Sequence, residues 1–267
     1  MINLAILAAG LPACTQVQSG SVVVTVIPVP LVNSVVSSPT ICSGQPSGIA
    51  LSSNVTTATF NWTINQSGVT GAVAGNGTII SQVLTATGGI PGTVTYSIMA
   101  NEGTCQGPAT PITITVNPIP VLTPSTILQS VCSGSVSPIQ LVSNVPGTVF
   151  SWNVVQTNVT GASNGTGNTI AQVLTTISNN IGEAVYSVIP TVGGCPGAST
   201  LVTVRVNPIP VATANTALTT ICSSSTTNIA LTSTVAGTTF SWTVIQTGIF
   251  GASSGTGISI AQTLTTV

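Results

Sequence analysis

Thr59-Phe60-Asn61-Trp62 returns as Val149-Phe150-Ser151-Trp152 and again as Thr239-Phe240-Ser241-Trp242. The tryptophans Trp62, Trp152 and Trp242 stand 90 and 90 residues apart. The cysteines keep the same step: Cys42, Cys132 and Cys222 are spaced by 90 and 90, Cys105 and Cys195 by 90, and Cys14 precedes Cys105 by 91. Asn117-Pro118-Ile119-Pro120 recurs as Asn207-Pro208-Ile209-Pro210, with Ile27-Pro28-Val29-Pro30 as a looser copy. Self-similarity at a fixed period marks a tandem array of one structural unit.

Within a unit, short segments alternate β-branched or aromatic residues with Ser and Thr, which predicts half-buried strands. In the second unit these are residues 139–142, 149–155, 169–175, 184–189 and 201–206. Turn signals separate them, among them the Gly-rich run 161–167 and Val192-Gly193-Gly194. No stretch carries a sustained 3.6-residue apolar period with helix caps. About seven short strands in roughly 90 residues predicts an all-β fold, a two-sheet immunoglobulin-like sandwich, repeated in a linear array. Phe150 and Trp152 share one strand face, so Trp62, Trp152 and Trp242 are expected as core aromatics. The competing reading makes them a carbohydrate-binding platform, and it fails if the rings are buried.

Composition removes most other functions. The 267 residues include one Arg, two Glu and no His, Lys or Asp. Charged residues are 1% of the chain, against about a quarter in an average domain. Acid–base catalysis lacks its usual groups, so an enzyme is not expected. Arg205 alone cannot neutralise a phosphate backbone, which argues against nucleic acid. Glu102 and Glu183 are far apart in sequence, and with no CxxC pair and no His neither a metal site nor a cofactor is expected. The apolar runs fall short of the roughly 20 residues needed to span a bilayer. Six Asn-x-Ser/Thr sequons begin at Asn54, Asn61, Asn65, Asn76, Asn158 and Asn164, so glycans are possible surface partners.

Cys42 to Cys105 and Cys132 to Cys195 are both 63 residues apart. That equality predicts one disulfide per unit, Cys42–Cys105 and Cys132–Cys195, clamping two loops at one end of each sandwich. Disulfides in successive copies place the protein outside the cytoplasm. Leu11-Pro12-Ala13-Cys14 has the look of a bacterial lipobox, but no basic residues precede it, and the repeat aligns Cys14 with Cys105 and Cys195.

The phase of the repeat divides the chain into units 31–118 and 119–208, leaving residues 1–30 and 209–267. Residues 1–30 match the last two strands of a unit and 209–267 match its earlier strands. Together they amount to almost one repeat, and Cys14 and Cys222 are their cysteines. This predicts a split sandwich, in which residues 1–30 of one subunit complete 209–267 of a neighbour, with a Cys14–Cys222 bridge between subunits. Such a head-to-tail contact does not close, so it generates a homopolymer. The alternative is an excerpt of a longer covalent array.

Cys132-Ser133-Gly134, Phe150-Ser151-Trp152, Ile170-Ala171-Gln172-Val173-Leu174, Tyr186, Gly194-Cys195 and Asn207-Pro208 together resemble PKD-like repeats. These are immunoglobulin-like units found in tandem in giant secreted surface proteins of Bacteroidetes, often type IX secretion substrates linked to adhesion or gliding. The resemblance implies a surface stalk, adhesin or fibre, with no catalytic residues and no defined ligand site. The expected function is therefore a structural subunit of an extracellular filament, or else part of the covalent stalk of a giant secreted adhesin.

Overall fold

The computed structural model describes residues 26–123, 128–215 and 220–267, and within them every regular element is a strand. Contacts divide the chain into two compact units. One holds the described residues up to Ile119 together with Gly193–Cys195, and the other holds Pro120–Val192 and Pro196–Val267.

In the first repeat, one sheet runs in the order Thr40–Cys42, Thr110–Asn117, Gly92–Glu102, Thr59–Ser67, Gly75–Asn76. Cys105–Gln106 folds back on the end of Gly92–Glu102. Smaller sheets face it, one ordered Val32–Val36, Ile49–Ser53, Ile79–Ile80 and the other Gln45–Pro46, Val83–Ala86, Val69–Thr70. The period-two pattern of the sequence is converted directly into two faces. Along Gly92–Glu102, Val94, Tyr96, Ile98 and Ala100 are fully buried, while Thr93 stays exposed. They pack with Ile49, Phe60, Trp62, Ile80, Leu84, Ile114 and Val116 into one core. Each fully buried Ile, Val or Leu contributes about 1.5–3 kcal/mol.

The second repeat has the same plan. Its main sheet is ordered Leu128–Cys132, Thr200–Asn207, Gly182–Val192, Val149–Thr157, Gly165–Thr166, and Ser135–Gln140, Thr169–Thr176 and Val159–Thr160 form the facing sheet. The expected strands fall on these elements, although the first starts four residues earlier than the apolar pattern alone suggests. Gly193 and Gly194, both at positive φ, make the two-residue turn that returns the chain from Val192 to Cys195.

The third copy differs. It has strands Ala212–Ala214, Ser225–Thr226, Ile229–Ser233, Ser241–Trp242, Ile249–Phe250, Gly255–Thr256, Ser259–Ile260 and Thr263–Thr266, joined in sheets of two or three. Thr59–Ser67 and Val149–Thr157 are nine-residue strands because each lies against an eleven-residue neighbour. Their counterpart is only Ser241–Trp242, paired on one side with Gly255–Thr256.

Candidate functional site

The conserved geometry of the repeat centres on a Trp–Gly cross-strand pair. Trp62 lies opposite Gly75, Trp152 opposite Gly165 and Trp242 opposite Gly255. The indole covers the glycine so closely that a Cβ on Gly165 would stand 2.7 Å from Trp152 Cζ2. Each indole N–H donates to a backbone carbonyl eleven residues on: Trp62 to Val73, Trp152 to Ser163 and Trp242 to Ser253. Trp62 and Trp152 are buried, so they offer no open ring face to a sugar, and Trp242 is half-buried.

A second constellation is legible only in three dimensions. Tyr96 Oη donates to Gln82 Oε1 at 3.0 Å, and Tyr186 Oη donates to Gln172 Oε1 at 2.8 Å. The same glutamines hold the loop beneath the tryptophan: Gln172 accepts from Ser163 N–H and donates to Ser163 O. Burial raises both phenols, Tyr186 up to about 12, and for Tyr96 a hydrogen bond with Ser47 opposes that rise. In the third copy Gln262 makes the Ser253 bonds, and no tyrosine among the described residues reaches it.

The cysteines correct the expected pairing. Cys42 is bonded to Cys195, 153 residues away, and not to Cys105; Cys132 is not bonded to Cys195. Cys105, Cys132 and Cys222 carry no disulfide among the described residues, and Cys14 lies outside them. The register explains why. Cys42 sits in parallel pairing beside Asn117, and the next strand meets that position at Gly92. Cys105 pairs with Glu102, at the other end of the same eleven-residue strand. Ten residues of extended chain span roughly 33 Å, whereas a disulfide requires Cα atoms within about 7 Å. In the second repeat Cys132 lies beside Asn207 and near Gly182, while Cys195 follows Val192. The two cysteines of one repeat therefore mark opposite ends of its sheet.

Around Cys42 the contacts belong to the first compact unit. Ser43 N–H donates to Asn117 O at 2.8 Å, and the Asn117 amide donates to Gly193 O at 2.9 Å, beside Cys195. Asn117 is buried, and a side chain on Gly193 would collide with its amide. At the equivalent place in the second repeat, Ser133 N–H donates to Asn207 O, but the Asn207 amide turns to Ser130 Oγ.

The few charges do little here. Arg205 Nε donates to Glu183 Oε1 at 2.9 Å across adjacent strands, and both side chains are partly exposed. Among the described residues no three His, Cys, Asp or Glu side chains converge on a common point, and no helix is long and apolar enough to cross a membrane.

The third copy leaves its own core half-open. Ile229, Phe240, Ile260 and Leu264 are partly exposed, while Ile49, Phe60, Ile80 and Leu84 of the first repeat are buried. Ile245 is 97% exposed.

Among solved structures, the chain is similar to Dpr2 Ig1-Ig2 from its complex with DIP-Theta Ig1-Ig3, at 12% identity and a TM-score of 0.37, covering 90% of each chain. Murine CEACAM1b matches at 14% identity and a TM-score of 0.31, over 67% of this chain and 100% of that one. The protocadherin GammaB4 extracellular domain matches at 13% and 0.30, over 88% of this chain and 43% of that one. No curated protein matches the sequence. The model of the PKD-like domain matches twice, at residues 39–120 and 129–210, and each match contains one Trp–Gly pair and one Tyr–Gln bond. The chain belongs to the PKD-like domain family.

Proposed function

We propose that the protein is the structural subunit of an extracellular filament, assembled head-to-tail by strand complementation. The observation that carries this reading is the half-open third copy: its core positions are partly exposed and, among the described residues, its tryptophan strand has no long neighbour of the kind seen in the first two repeats. Residues 1–30 have the sequence of the two missing strands and would supply them from the next copy, completing the domain 209–267. Domains 31–118 and 119–208 fold as complete sandwiches in the same subunit.

Three further features support the reading. A disulfide suits a compartment outside the reducing cytoplasm. With three charged residues in 267, electrostatic repulsion between copies is weak. A non-catalytic role fits the scarcity of acid–base groups.

Electron microscopy of the purified chain tests the proposal. Filaments that disappear when residues 1–30 are deleted support it. Single chains that are unchanged by that deletion refute it and favour the covalent stalk of a larger secreted adhesin.

A further inference from the structure

We propose that the disulfide follows a register: the first cysteine of each repeat bonds to the second cysteine of the repeat that follows. In the filament this places two bridges at every joint, Cys132 to Cys14 of the next copy and Cys222 to Cys105 of the next copy. The inference rests on the head-to-tail reading, and it replaces the Cys14–Cys222 bridge expected from the sequence.

The Cys42–Cys195 separation of 153 residues is one repeat of 90 plus the internal offset of 63. Cys42 is the first cysteine of its repeat and Cys195 is the second cysteine of the next. Within residues 1–267 the 153-residue register pairs Cys42 with Cys195 and gives Cys105, Cys132 and Cys222 no partner. Cys132 and Cys222 are exposed thiols, and Cys105 a half-exposed one.

The same register forbids pairing within a repeat, because first and second cysteines stand at opposite ends of an eleven-residue strand. Cys14 and Cys222, as second and first cysteines of the composite domain, fall under that prohibition. Joining the copies in order instead uses all six cysteines with none left over.

Asn207 supplies an independent mark. Its counterpart Asn117 donates its amide to the carbonyl of Gly193 at the tip carrying Cys195. Among the described residues no such tip stands beside Asn207, which donates instead to the exposed Ser130 hydroxyl.

Each bridge forms by thiol–disulfide exchange: two thiols give one S–S bond, and one oxidised glutathione takes up the two electrons and two protons to leave as two reduced molecules. The test assembles the full chain with oxidised glutathione, and maps linked peptides by mass spectrometry after pepsin digestion without reduction. Peptides joining Cys132 to Cys14 and Cys222 to Cys105, beside Cys42–Cys195, are expected. Cys132→Ser and Cys222→Ser should each keep the non-reducing gel ladder, and the double variant should lose it to monomer. Filaments whose linked peptides join Cys14 to Cys222, or Cys42 to Cys105, overturn the register while leaving the filament reading intact. A chain that stays monomeric by light scattering, with or without reductant, removes the filament reading and these bridges with it.

Discussion

Gly165→Ala tests whether the Trp–Gly pair sets the stability of a repeat. Gly165 is not held at positive φ, so alanine suits its backbone and the obstacle is space alone. The new methyl carbon would lie 2.7 Å from Trp152 Cζ2 and 3.0 Å from Cε2, against about 3.5–4.0 Å for a comfortable carbon contact. The indole cannot retreat freely, because its N–H is tied to Ser163 O at 3.1 Å and the ring is buried. Overpacking of this kind costs about 1–3 kcal/mol, and loss of the indole bond would add roughly 1 kcal/mol. The reduced entropy of the unfolded alanine chain returns about 0.4–1 kcal/mol. The net expectation is about 1–3 kcal/mol of destabilisation, which lowers the Tm of a domain this size by about 4–8 °C per kcal/mol. Calorimetry of the full chain reads it, with Gly75→Ala as the twin in the first repeat, where the approach is 2.9 Å. A smaller ring should relieve the clash, so Trp152→Leu combined with Gly165→Ala should cost less than the two changes summed. A Gly165→Ala transition that coincides with the parent's, or strict additivity in that cycle, would refute the packing argument.

Tyr186→Phe removes the donor to Gln172 and should cost about 1 kcal/mol in urea titration. The folded Tyr186 phenol holds its proton up to about 12 while an unfolded tyrosine releases it near 10. Its stabilisation is therefore complete below pH ~10 and declines by about 1.4 kcal/mol per pH unit between there and pH ~12. Tyr186→Phe should flatten that alkaline loss in the second repeat. Glu183→Gln should shift stability by less than about 0.5 kcal/mol, since the Arg205 pair is exposed and screened by salt. Asn117→Ala strands the Gly193 carbonyl and should speed hydrogen exchange across 193–195 under oxidising conditions, with Asn117→Asp restoring little because a carboxylate cannot donate.

The recurring residues made the sandwich legible. Trp, Phe and alternating Val, Ile and Thr recur at fixed positions, and period two translates into one buried face without further information. Gln172 lay in a recurring motif, yet its role waited on the register that brings Tyr186 to it. The disulfide is not legible in spacing for a definite reason: cysteines recurring at one period fit pairing inside a unit, 63 residues apart, and pairing with the next unit, 153 residues apart, equally well. What separates them is strand direction. Gly92–Glu102 carries the chain from the end where Cys42 sits to the end where Cys105 sits, and no spacing reveals that. Asn117 and Asn207, conspicuous beside their prolines, likewise showed their use only once Gly193 stood within reach of one and Ser130 of the other.

The Cys42–Cys195 bond also decides how the chain carries tension. Tension applied to the chain from outside the bonded pair reaches Cys42 through the short strand Thr40–Cys42. At Cys42 the force passes through sulfur to Cys195, and residues 43–194 drop out of the load path. Breaking every weak bond in that loop would not lengthen the molecule by its contour. The disulfide thus works as a mechanical short circuit: it sets the extensibility of the stretched chain by covalent connectivity, and leaves the hydrogen-bonded sheets within the loop to hold shape and not load.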